Sequence, residues 1–126
     1  MPRIEVRAFC NSKLDIPIMG WLGELAQREP GVFAKCLARI KRLAECGHDL
    51  RRPESAPLRD GIHELRVRRK RVNYRILYFF HDNKFACLSH GIKKEAEVPD
   101  AEIERAISNK RLVRSDPDKY TTIFEN

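Results

Sequence analysis

Apolar and polar residues alternate over residues 4–9, where Ile4, Val6 and Ala8 oppose Glu5 and Arg7. Side chains two apart share one face of an extended chain, so this pattern predicts a first β-strand. The period then lengthens. Ile18, Trp21, Leu22 and Leu25 stand at helical spacing behind Asp15, a candidate N-cap, and Pro17, which an early helical turn tolerates. Pro30–Gly31 breaks the chain. A second helix is predicted over residues 31–46, with Phe33, Cys36, Leu37, Ile40, Leu43 and Ala44 in one stripe and Gly47 as its C-cap. Residues 48–61, holding Pro53, Pro57 and Gly61, read as a loop.

Period two returns over residues 62–69, with Leu65 and Val67 on one face and Glu64, Arg66 and Arg68 on the other. Lys70 and Arg71 suit a turn. Residues 72–80 are apolar on both faces apart from Asn73 and Arg75, the pattern of a central strand covered on both sides. A hairpin turn at residues 81–84 leads to a further strand over 85–92. A last helix starts near Pro99, with Asp100, Glu102 and Glu104 at its positive end and Ile103, Ala106 and Ile107 on an apolar face. The predicted order is β-α-α-β-β-β-α. Helices and strands that do not alternate argue for an α+β fold: an N-terminal strand and helical hairpin packed on a small antiparallel sheet. Residues 1–115 form the expected domain, and 116–126 a C-terminal tail that either packs on it or floats free.

The chain has 126 residues, of which 42% are hydrophobic, enough for one compact domain with a core of its own. Basic residues number 25 against 18 acidic ones, a net charge of +7. That excess points to a polyanionic partner or to a merely soluble basic surface. Cys10, Cys36, Cys46 and Cys87 have no C-x-x-C spacing and read as reduced, mostly buried thiols of a cytoplasmic protein. No Cys or His pair has ligand spacing, so neither a metal nor another cofactor is expected. The first ten residues lack the apolar core of a signal peptide, and no run reaches the ~20 apolar residues of a membrane span.

Six cationic side chains lie between positions 66 and 75. Glu64, Arg66 and Arg68 share a strand face, and antiparallel pairing with the next strand can bring Arg75 onto it. An arginine in so apolar a strand is costly unless it meets an anion. Two readings follow: a phosphate-binding face gripping RNA, or an internal ion pair such as Arg75 with Glu64. Arg69, Lys70 and Arg71 read as a solvated turn that adds only general attraction. A second cluster, Ser89-His90-Gly91-Ile92-Lys93-Lys94, offers a histidine that titrates near neutrality and two lysines able to hold phosphate. Its plainer reading is a capping histidine and two surface lysines. Trp21, Phe33, Tyr74 and Tyr78 read as packing residues. His48, His63 and His81 have no recognisable partner in the sequence.

The run Glu64-Leu65-Arg66, then Tyr74-Arg75-Ile76-Leu77-Tyr78-Phe79, then His90-Gly91-Ile92-Lys93-Lys94 ahead of a proline-initiated helix, resembles the phage-derived, HigB-like branch of the RelE/ParE toxin superfamily. The likeness covers roughly residues 3 to 112 and is most specific from 63 to 107. It implies a RelE-like fold and ribosome-dependent, metal-independent cleavage of mRNA, in which a ribose 2′-hydroxyl attacks the adjacent phosphate. Carried over by position, Arg75, His90 and Lys93 become the candidate catalytic residues. Arg66, Arg68 and Lys94 become the candidate RNA phosphate contacts. RelE proper carries a functional tyrosine near the start of its last helix; this chain has Pro99 there, and HigB-like relatives also lack the tyrosine. The resemblance further implies mRNA on the ribosome as a partner, and a cognate antitoxin of helix-turn-helix type. A ParE-like inhibitor of DNA gyrase, sharing the fold without the nuclease chemistry, and a non-catalytic phage-derived nucleic-acid or partner-binding module are the alternatives.

Overall fold

The computed structural model describes residues 3–94 and 96–125. Strand β1 (Glu5–Phe9) leads into helix α1 (Pro17–Arg28) and helix α2 (Pro30–Cys46), and a short 3-10 turn (Gly47–Asp49) follows. Then come β2 (Ser55–Pro57), β3 (His63–Arg69), β4 (Val72–His81) and β5 (Phe85–Lys94), helix α3 (Asp100–Ser115), the single-turn helix α4 (Pro117–Tyr120) and β6 (Thr121–Ile123). The result is a mixed α+β fold with a six-stranded sheet in the order β2-β3-β4-β5-β1-β6.

Three sequence expectations need correction. The sheet is not purely antiparallel, because β1 lies parallel to β5, Val6 opposite Ala86. The hairpin α1–α2 supplies the long crossover that a parallel pairing requires. The expected loop of residues 48–61 contains β2; of the two possibilities left open for the tail, packing is the one realised, through α4 and β6. Both strands are three residues long, too short for an alternating pattern to register, and each exists because a longer neighbour pairs with it. The tail is therefore docked: Phe124 N–H donates to Val6 O, Cys10 N–H to Tyr120 O, and the Tyr120 ring stacks on Phe9. Finally, Asp15 does not cap α1. Ile16 occupies the cap position with no side-chain hydrogen bond, and the Asp15 N–H instead donates to Asn11 Oδ1 within a turn.

The sheet is covered on both faces. Leu65, Val67, Tyr74, Ile76, Tyr78, Ala86 and Leu88 face the α1–α2 hairpin, which contributes Ile18, Leu22, Leu25, Val32, Cys36, Ile40 and Leu43. Leu77, Phe79, Phe85, Cys87 and Ile92 face α3 through Ile103, Ala106, Ile107 and Val113. Fully burying each such side chain contributes about 1.5–3 kcal/mol, which explains why β4 carries apolar residues on both sides. Cys10, Cys36 and Cys87 are buried free thiols, and burial pushes the Cys36 thiol up to about 12. No helix among the described residues is long and apolar enough to cross a membrane.

One irregularity in β5 decides which residues face which way. Leu77 pairs with His90 but Tyr78 pairs with Leu88, so Ser89 is an extra residue, a β-bulge. Before the bulge, Phe85 and Cys87 point toward α3; after it, His90 and Ile92 do, and the parity of the strand is reversed. Gly91 then turns toward the hairpin, where the Trp21 indole lies directly against it and leaves no room for a Cβ.

Candidate functional site

Strands β3 and β4 pair in the register that sets Arg66 opposite Arg75 and Arg68 opposite Asn73. On the far side of β4, Arg75 meets Ile92 and Asn73 meets Lys94. Arg66, Arg68, Arg75 and Lys94 therefore share the α3 face of the sheet. Helix α3 covers the rows through Leu77, Phe79 and Ile92 but leaves the turn end of β3–β4 open: Arg68 and Lys94 are exposed and Arg66 is half-buried.

Arg75 itself is buried, 7% exposed. Its Nε lies 2.9 Å from Glu64 Oε1, an ion pair whose N–H is not aligned as a hydrogen bond, and its Nη1 donates to Ala96 O at 2.6 Å. The internal ion pair is thus realised. Glu64, also buried, reaches Arg66 Nε more loosely at 4.0 Å. One carboxylate between two guanidiniums leaves an excess of positive charge beside the open rows. Arg68 Nε donates to Lys70 O, which folds that side chain back over the Lys70 turn, where the backbone adopts φ 57°.

A cleft of about 420 Å³ opens beside this row, bordered by four arginines, Arg52, Arg59, Arg66 and Arg75, and by two carboxylates, Glu64 and the exposed Glu97. Its cations are not equivalent. Arg59 is held by Asp60, Asp100 and Glu104, and these three carboxylates raise its pKa further. Arg52 is exposed and has no ion-pair partner among the described residues.

The two remaining candidates sit elsewhere. His90 lies on the same face but beneath α3, 1% exposed. Its Nε2 is 3.0 Å from Glu102 Oε1 and its Nδ1 is 2.8 Å from Ser89 Oγ, which in turn accepts from Asn109 Nδ2. Burial, reinforced by Arg105 and opposed by Glu102, pushes its pKa down to about 4. A neutral imidazole enclosed in this way ties α3 to the β5 bulge and does not reach a phosphate at the surface. Lys93, expected from the resemblance near the scissile phosphate, is on the opposite face because of the strand's alternation. Its Nζ donates to Glu29 Oε2 at 3.1 Å and lies 5.3 Å from the Tyr74 ring centre. The Tyr74 hydroxyl donates to the other Glu29 oxygen at 2.5 Å. Tyr74 and then Lys93 hold the Glu29 carboxyl below its ordinary range, and Glu29 in return raises the Lys93 pKa.

A family model described as phage derived protein Gp49-like (DUF891) matches residues 23–111, well over half of the chain. The chain belongs to this Gp49-like family. No curated protein matches it. The Gp49-like region contains the whole of the cationic face, Arg52 and Arg59 included, and ends before the docked tail. Of the Gp49-like chain's site residues, Arg66, Arg68 and Arg75 were legible as a shared face from period two alone, whereas the side on which Lys94 falls depends on the β5 bulge. The partners Glu29, Glu102 and Asn109 were not legible, since Glu29 comes from the junction between α1 and α2 and the other two from α3.

Proposed function

We propose that this Gp49-like protein is the toxin of a type II toxin–antitoxin pair and cleaves mRNA on the ribosome. The observation that carries the reading is the open row of Arg66, Arg68 and Lys94 beside the anchored Arg75. A phosphodiester backbone needs several cations at fixed spacing, and strands paired in register provide that spacing. In the proposed reaction the 2′-hydroxyl of a bound ribose attacks the adjacent phosphate and the 5′-oxygen of the next nucleotide leaves. Arg66 and Arg75 are the groups proposed to offset the charge that develops on the phosphoryl oxygens, with Glu64 fixing the Arg75 guanidinium. Arg68 and Lys94 are proposed to hold flanking phosphates. His90 acts in this scheme only through the position of α3. A cognate antitoxin that neutralises the protein would cover the same face with acidic side chains.

The test is induced expression in bacteria of the wild type and of an Arg66→Ala/Arg68→Ala variant, with growth and mRNA 5′ ends followed together. Both substituted side chains reach solvent, so the variant should keep its melting temperature. Growth arrest with new in-frame ends, lost in the variant, is the expected result. A folded variant that stays fully toxic overturns the site. Arrest with intact mRNA and impaired supercoiling would replace the nuclease with a gyrase inhibitor, and no arrest at all would leave a binding module.

A further inference from the structure

Two histidines without sequence partners, His48 and His63, meet in the fold. The His48 ring stacks on Phe80, centroids 3.7 Å apart and planes within 24°. The His63 ring stacks on Tyr78 at 5.2 Å and meets Phe80 edge-on at 5.5 Å. These four rings line a cavity of about 360 Å³ whose other side carries Arg51 and Arg52. No aspartate or glutamate lines it. Both arginines are exposed and neither has an ion-pair partner among the described residues. Arg52 and Pro57 border this cavity and the cationic cleft alike, so the two adjoin at the β2 edge of the sheet.

We propose that the ring-lined cavity takes one unstacked nucleobase of a single-stranded RNA whose adjoining phosphates lie against Arg51 and Arg52. The proposal rests on the RNA reading of the cationic cleft and names the part of the substrate read beside it. Flat π-faces accept any base, and single-stranded RNA is recognised by splaying bases onto aromatic and histidine rings. The cavity is at the small end of ligand pockets, suited to one base rather than a dinucleotide. Its polar reading falls to the histidines, because the buried Ser55 and Tyr78 hydroxyls already satisfy each other at 2.5 Å. Burial, with smaller contributions from His48 and Lys110, lowers the His63 pKa. A neutral imidazole offers one donor and one acceptor in its plane, which suits a base edge.

The test uses the full chain with ¹³C,¹⁵N-labelled histidine. Its ring resonances are followed during titration with a short single-stranded RNA, with a ribonucleoside monophosphate and with inorganic polyphosphate. Affinities are measured in parallel for wild type, His48→Ala and Arg66→Ala/Arg68→Ala. The expected result is that RNA shifts the His48 and His63 rings and that His48→Ala weakens RNA about tenfold while polyphosphate binding holds. RNA bound through Arg66 and Arg68, with both rings and the His48→Ala affinity unchanged, overturns the pocket and leaves the cleft reading standing. A monophosphate bound as tightly as RNA overturns it in favour of a free-nucleotide site, and no RNA binding at all overturns both readings. The ring shifts of the wild type decide the matter even where His48→Ala folds poorly.

Discussion

Where β3, β4 and β5 lie side by side, the two faces of the sheet have different electrostatic outcomes. On the hairpin face Lys93 is answered by Glu29 and lies against Tyr74, and the charge of Arg69 at the end of β3 acts on the same carboxylate. On the α3 face a single helix covers only the rows from Ile92 and Leu77 outward. Arg66, Arg68 and Lys94 stand beyond its reach, with one buried carboxylate, Glu64, among them. Lys93 and Lys94 are neighbours in sequence and have separate roles because a strand sends consecutive side chains to opposite faces. A basic composition therefore says little until the fold separates cations that are paired from cations that are not.

The largest expected effect lies at the base of the α3 face. Arg75→Ala leaves the Glu64 carboxylate buried without its main partner, a change that costs about 3–5 kcal/mol. Urea unfolding should show that loss, and a Glu64→Leu/Arg75→Met pair should recover most of it. A loss within about 1 kcal/mol, the scale of an exposed pair, would mean that Arg75 is not anchored as described.

Next comes the pH dependence set by His90. Its pKa is ordinary, near 6.5, in the unfolded chain and about 4 in the folded protein. Below the ordinary value the unfolded state binds the extra proton, so stability falls as pH drops from about 6.5 toward 4 and flattens below. The full difference is roughly 3 kcal/mol. His90→Gln should remove this slope. An unchanged acid limb in that variant would place the titrating group elsewhere and weaken the view that His90 locks α3 down.

The smallest effect sharpens the contrast between faces. In RNA binding followed against salt concentration, Lys94→Ala should flatten the slope by about 0.7, the contribution of one single-strand phosphate contact. Lys93→Ala should leave the slope as it is. Equal changes in both would mean that the RNA contact does not distinguish the two faces.

Much of this was legible in the residues. Period two over 62–69 and helical spacing over 31–46 are imposed by burial on one side, so they survive in any sequence that folds this way. The shared face of Glu64, Arg66, Arg68 and Arg75 followed from the same alternation, and an arginine in an apolar strand announced that it needed an anion. The positions of His90 and Lys93 were not legible. A bulge depends on how two strands meet, and Ser89 carries no local mark of being the unpaired residue.

By itself, then, the sequence determined the principal helices and strands, the apolar stripes that bury them and the basic character of one strand face, since these depend on local periodicity and charge. Only the tertiary structure decided the parallel β1–β5 pairing, the docking of residues 117–124 and the meeting of His48 with His63. It also decided which cations are neutralised. Those outcomes depend on contacts between residues far apart in the chain: Glu29 with Lys93, Arg59 with Asp100, Glu102 with His90. No local pattern encodes them, because each partner is an ordinary residue at its own position and acquires its role from what the fold sets against it.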